Sequence, residues 1–202
     1  RIGDCDTQSI AFWDSLVERY VLYTRTWVRH DDKHLNYRYH RRIESDDLVN
    51  WDNEIPILKA DEADLATYTT PTGQPPVDYY GACVFRYPDE HGVYLMLAES
   101  LWHWFQRAPE EPLGPDTMDT RLCVSRDGKH FERRGGRRPF LGLGMEGSRS
   151  SRMIWAFPGP VRVGDELWLY YWGANMDHSG HVDPAADGEL RTGIHRAVMR
   201  LD

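Results

Sequence analysis

Three aromatic-rich strand patterns recur at one spacing: Tyr20-Val-Leu-Tyr-Thr-Arg-Thr-Trp27, Tyr94-Leu-Met-Leu-Ala-Glu-Ser-Leu101 and Trp168-Leu-Tyr-Tyr-Trp172, with first residues 74 positions apart each time. An apolar strand and a polar turn precede each: Ile10 to Trp13, Ala82 to Phe85, and Ile154 to Phe157 with Val161. After the first two comes a Ser-x-Asp-x-x-x-aromatic segment, Ser45 to Trp51 and Ser125 to Phe131; after the third comes another strand pattern, Leu190 to Leu201. A unit of about four strands that repeats at this length cannot bury its apolar face alone and must stack on its neighbours. That is the blade of a β-propeller. The expected fold is all-β, a propeller of four-stranded blades forming one partial domain over 1–202: one blade over 1–58, a second over 78–141 and an incomplete third over 146–202. Propellers close with roughly four to eight blades. The chain, which starts at Arg1, therefore reads as a piece of a longer protein, its other blades supplied by the rest of the chain or by another copy.

The Ser-x-Asp segments read as scaffold. Asp127-Gly128 between two apolar runs is a tight-turn signal, and Phe131 is expected to fill the gap to the next blade. Eight Trp, 11 Tyr and 6 Phe provide aromatic surface that suits sheets. No apolar run approaches the ~18 residues of a membrane-spanning helix. A net charge of −8 argues against nucleic acid as a partner, because phosphate binding needs a basic footprint. The cluster Arg133-Arg134-Gly-Gly-Arg137-Arg138 is read as a solvated turn. Cys5, Cys83 and Cys123 are too widely spaced for a zinc motif or a disulfide framework. The compartment stays open.

The first strand of a blade lines the central channel, so residues at strand entrances converge there. Each entrance carries a carboxylate: Asp6, Asp78 and Glu146, at separations of 72 and 68. Carboxylates sharing a cavity push one another's pKa apart, leaving a neutral acid beside charged neighbours. Glycoside hydrolysis needs that pairing, one group protonating the leaving oxygen and another activating water or attacking the anomeric carbon. Such carboxylates also serve simply as turn and strand caps.

The segment Ser45-Asp-Asp-Leu-Val-Asn-Trp51 with the apolar stretch to Leu58 resembles the Ser-x-Asp-Leu-x-x-Trp segment of glycoside hydrolase families 32 and 43. Ser125 to Phe131 is its glycine variant, and Asp6 to Asp14 with the remaining strands is similar to a broader set of bacterial members of that superfamily. The resemblance implies a five-bladed propeller when complete, with carboxylates on successive blades acting as base or nucleophile, pKa modulator and general acid. The matching positions here are Asp6, Asp78 and Glu146 in that order. No cofactor is implied as required; a structural or central Ca2+ is compatible with the family pattern.

His103 and His178 follow their second strands at similar places and are candidates to bind sugar hydroxyls or a central cation. Trp102 and Trp155 offer faces for stacking on a sugar ring, and Arg149 and Arg152 follow Glu146 closely enough to clamp an acidic group. Asp177-His178-Ser-Gly-His181 lacks the third ligand that would make a metal site specific. Glu99 competes for the acid role, but its place inside a strand argues against the channel entrance. The leading reading is a glycoside hydrolase acting on an oligo- or polysaccharide. Two alternatives stand beside it. A phosphorylase on the same scaffold would gather Arg149, Arg152 and His178 near Glu146. A non-catalytic carbohydrate-binding propeller would turn its carboxylates outward.

Overall fold

The computed structural model describes residues 5, 7–28, 37–66, 75–87, 92–104 and 116–201. They form a partial all-β propeller. The first blade is an antiparallel sheet in chain order: β1 (Ile10–Asp14), β2 (Arg19–Val28), β3 (Tyr37–Ser45) and β4 (Asp52–Leu58). A one-turn helix, α1 (Glu62–Leu65), follows. The second blade runs β5 (Val77–Arg86), β6 (Tyr94–Trp102), β7 (Thr117–Ser125), with the short β8 (Glu132–Arg133) and β9 (Pro139–Leu141) on the outer edge. The third has an interrupted inner strand, β10 (Met153–Ala156) and β11 (Val161–Val163), both paired to β12 (Glu166–Ala174), and then β13 (Thr192–Arg200). Parallel pairing of Met118 with Met153 joins the second and third blades into one hydrogen-bonded sheet.

Blades stack through apolar faces. Val21, Tyr23, Ile57 and Leu58 of the first meet Tyr79, Ala82, Val84, Tyr94 and Met96 of the second. Cys83, Phe85 and Leu97 on the other side of the second blade meet Ala156 and Leu169 of the third. Removing such side chains from water contributes roughly 1.5–3 kcal/mol each, so stacking holds the blades together. The other face of the third blade carries Trp168, under the Arg196 guanidinium, Tyr170, and Trp172, packed against the Leu101, Met118 and Met153 cluster; Ile194, opposite Trp172, is 69% exposed.

The two Ser-x-Asp segments form the same turn. Ser45 Oγ accepts from the amides of Asp47 and Leu48 and Asp47 Oδ1 from those of Val49 and Asn50. Ser125 and Asp127 repeat this with Asp127, Gly128, Lys129 and His130. The fourth position, after the aspartate, has a positive φ in both, +63° at Leu48 and +69° at Gly128. Glycine is needed in the second turn, because a Cβ on Gly128 would lie 2.6 Å from the Tyr23 hydroxyl.

The structure corrects three expectations. Phe131 packs edge-on against Tyr23, so it fills the gap to the preceding blade rather than the next. Half of the arginine cluster is structural rather than solvated: Arg133 and Arg137 pair with Asp61 and Asp64 at the capped start of α1. The even spacing of the repeat also conceals a slip. Tyr20 and Tyr94 both lie opposite the serine of their turn, but the direction of Tyr94, toward the preceding blade, is taken in the third blade by Leu169 and not by Trp168. A shift of one residue sends every side chain of a strand to the other face.

Candidate functional site

Asp78 is the second residue of β5, fully buried and paired across the sheet with Leu101. Arg38, near the start of β3 in the first blade, donates to its Oδ2 from Nη1 at 2.6 Å. His103, just past the end of β6, places Nε2 3.5 Å from the same oxygen. Its Nδ1 lies 3.0 Å from Oδ2 of Asp116, a fully buried residue immediately before β7. Asp78 Oδ1 and Asp116 Oδ1 are buried without a hydrogen-bond partner among the described residues. Burial would lower the His103 pKa, but Asp116 and Asp78 outweigh it and raise the imidazole to about 9.

Aromatic rings surround this set. The Arg38 guanidinium lies 4.2 Å from the Trp27 ring centroid and 4.9 Å from that of Tyr80, and Arg25 approaches the same rings at 5.3 and 4.6 Å. Burial and the neighbouring Arg38 pull Arg25 below its ordinary value. The Tyr80 hydroxyl meets His178 Nε2 at 3.0 Å, and its ring stands edge-on to Trp155 at 5.5 Å. Burial, then Arg38, keep the His178 imidazole below its usual pKa. All three blades thus contribute: Arg25, Trp27 and Arg38 from the first, Asp78, Tyr80, His103 and Asp116 from the second, Trp155 and His178 from the third. Backbone hydrogen bonds anchor the end of β6, where the His103 amide donates to Pro76 O at 3.0 Å.

A second buried carboxyl lies on the same sheet face. Directly paired residues point the same way, as do residues two apart on a strand, so Asp78, Leu101 and Glu99 share one side of the β5–β6 pair. Glu99 reaches over Gly81, where a Cβ would lie 1.8 Å from Oε2, and β5 carries a register shift there. Gln8 of the first blade crosses the same place, donating from Nε2 to Ala156 O of the third at 2.6 Å. Neither Glu99 oxygen has a hydrogen-bond partner among the described residues. Burial pushes this carboxyl well above the ordinary range, and the nearby Ala156 and Gly81 amides, which form no hydrogen bond with it, offset little of that.

Of the residues expected from sequence, the structure gathers Asp78, His103, His178 and Trp155. Asp6 lies outside the described residues. Glu146 occupies an exposed turn, and no described contact joins it to Asp78. Trp102 faces elsewhere, stacked on Trp104 and covered by Arg121. Arg149 is exposed and donates to Thr192 O, and Arg152 pairs with Asp183, so neither approaches Asp78 through a described contact. Asp177 has both oxygens committed to its own loop, to the Ser179 and His181 amides and the His181 ring. Asp78 Oδ2 faces a guanidinium and an imidazole, and no three metal-binding side chains converge among the described residues. Arg25, Arg38, Tyr80 and Asp116 were missed in the sequence. The one available signal was alternation: Arg38, His40 and Arg42 fall on the face of β3 turned toward the second blade.

No family model matches the sequence, and no curated protein matches it. Similar solved structures do exist. An N-acetylgalactosamine deacetylase from F. plautii, in complex with blood group B trisaccharide, superposes with a TM-score of 0.59 at 17% identity, covering 94% of this chain and 49% of that one. A structure described as a glycoside hydrolase gives 0.58 at 14%, covering 98% and 49%. The β-1,2-mannobiose phosphorylase from Listeria innocua gives 0.55 at 17%, covering 96% and 44%. The chain thus spans about half the length of the structures it resembles. At this identity the likeness concerns architecture: the chain has the fold of part of a β-propeller of the kind found in glycoside hydrolases and phosphorylases.

Proposed function

We propose that this protein belongs to a carbohydrate-active enzyme that cleaves a glycosidic bond of an oligo- or polysaccharide by carboxylate chemistry at the Asp78 site. The observation carrying this reading is the asymmetry of Asp78: Oδ2 is held by Arg38, with His103 Nε2 at ion-pair distance, while Oδ1 is buried with no partner among the described residues. A buried acceptor left open is costly unless something meets it. Flanking rings of Trp27, Tyr80 and Trp155 suit the apolar face of a sugar. A salt-bridged carboxylate suits a base, a nucleophile or a charge stabiliser better than a proton donor. The resemblance gave Asp6 the base or nucleophile role, Asp78 the pKa-modulating role and Glu146 the acid role; this reading exchanges the first two and keeps Glu146 as the proposed acid. A non-catalytic binding propeller is disfavoured because Asp78 points inward among charged groups.

Phosphorolysis is a second reading, favoured by one observation. Arg25 and Arg38 gather on shared rings next to His178, a cationic grouping of the kind phosphate requires. It lies at Asp78 rather than beside Glu146. The test is turnover of a glycan panel with and without inorganic phosphate, by wild type and Asp78→Asn. Release of reducing sugar without phosphate, lost in Asp78→Asn, supports hydrolysis; strict phosphate dependence supports phosphorolysis. Equal turnover by the variant removes Asp78 from the chemistry.

A further inference from the structure

One imidazole bridges two fully buried carboxylates that the chain brings from different places. Asp78 opens β5, His103 follows β6 and Asp116 precedes β7. Both flanks are tied down, by the His103 amide on Pro76 O at 3.0 Å and by Trp104 Nε1 donating to Thr117 Oγ1 at 2.6 Å. These bonds fix the main chain on either side of the ring, and the ring itself is held by its contact with Asp116 Oδ2 at 3.0 Å. Nδ1 meets Asp116 Oδ2 at 3.0 Å, whereas Nε2 faces Asp78 Oδ2 at 3.5 Å as an ion-pair contact with no hydrogen bond among the described residues, so the hold on Asp78 is electrostatic and needs the doubly protonated ring. Charge points the same way. Arg38 alone would leave two buried carboxylates facing one guanidinium, and a protonated His103 balances them.

We propose that His103, fixed by Asp116, is a positioning residue that clamps Asp78 as a cation, locks Oδ2 and leaves Oδ1 as the oxygen presented to substrate. This rests on the reading of Asp78 as the working carboxylate for its consequence in catalysis, though not for the clamp itself. In this role His103 is distinct from a group that touches sugar. The charged and titratable groups around the ring are Asp78 of β5, Asp116 before β7 and Arg38 of β3, with Arg25 of β2 and His178 after β12 beyond them. The two acids favour the protonated ring; the arginines and His178 oppose it. Losing the proton would leave Asp78 and Asp116 with one cation and free Asp78 to rotate, so activity should fall on the basic side.

The test has two readouts on the full chain. The His103 ring is titrated by NMR in wild type and Asp116→Asn, and the pH dependence of kcat and KM is measured for the same proteins. The clamp requires His103 to stay protonated well past neutrality in wild type, near 9, and to titrate roughly 1–3 pH units lower in Asp116→Asn, the range a neighbouring charge produces. The basic limb of kcat should move down by the same amount, with KM little changed. A His103 that titrates at or below ordinary imidazole in wild type overturns the clamp. A shifted ring with an unmoved kcat limb makes His103 merely structural and also overturns the proposal. If wild type turns over no glycan, the reading of Asp78 as a catalytic group fails, while the titration still decides the clamp.

Discussion

Between the first and second blades, Asp14, Arg42 and Glu44 form one buried charged cluster, and Arg38, Asp78, His103 and Asp116 form another. Both draw on β3. In the first, Asp14 Oδ1 accepts from the Leu16 amide and Oδ2 from the Tyr94 hydroxyl at 2.6 Å. Glu44 accepts from Arg42 on one oxygen and from Arg19 and Asn53 on the other. Every carboxylate oxygen there has a donor. In the second cluster, each aspartate has one oxygen engaged and one open among the described residues. Buried polar groups are normally satisfied, and exceptions concentrate where something else is meant to bind. Unmet nitrogens occur in both clusters, at Arg42 Nε and Nη2 and at His103 Nε2, so the contrast lies in the carboxylates, and it marks the second cluster as the candidate site.

The comparison breaks most readily at the two aspartates. Asp78→Asn keeps the side-chain volume and an oxygen toward Arg38, and turnover is expected to fall by about 10²–10⁴, the range for a lost acid–base group. Asp14→Ala should do the opposite, costing about 3 kcal/mol of stability by stranding Arg42 and the Tyr94 hydroxyl, with kcat of the folded fraction unchanged. Denaturant unfolding and steady-state kinetics on both variants check this. A large kcat loss in Asp14→Ala, or none in Asp78→Asn, would erase the distinction.

A smaller effect concerns Glu99. Its folded pKa is raised by burial, so the neutral form is favoured in the native state. Folding is unpenalised below the ordinary carboxylate pKa, where folded and unfolded chains are both protonated. Above it, stability falls by about 1.4 kcal/mol per pH unit until the folded pKa is passed. Glu99→Gln should match wild type in acid and become the more stable protein as pH rises. Parallel stability–pH curves for the two would show that Glu99 is not held neutral.

The smallest effect sharpens the contrast between the two Ser-x-Asp turns. Leu48 occupies at φ +63° the position that Gly128 fills at +69°, and a left-handed leucine costs about 1 kcal/mol. Leu48→Gly is expected to raise the thermal midpoint modestly without altering kinetics. A lowered midpoint would mean that the leucine side chain contributes more than its backbone strain removes.

Strand order and turn chemistry were legible in sequence because both are local: aromatic-rich apolar runs mark β2 and β6, and Ser45 and Ser125 announce turns their own amides complete. The charged site was less legible. Arg38 belongs to a cation-rich strand that reads as solvated, yet its guanidinium lies between blades on Trp27 and Tyr80. Asp116 ends a proline- and glutamate-rich segment and gains meaning only when β6 and β7 pair. Trp168 sits 74 residues after Tyr94 but on the opposite face, so equal spacing did not secure equal direction. Asp78 was found because its strand entrance is a local feature; its partners come from folding.

The central claim is that Asp78 Oδ1 is the oxygen left open for substrate. A crystal structure of the protein with an oligosaccharide bound tests it most directly. The account predicts a sugar oxygen within hydrogen-bond reach of Asp78 Oδ1, with Arg38 and His103 still on Oδ2. A sugar seated elsewhere, with Oδ1 met by a protein donor, would contradict it.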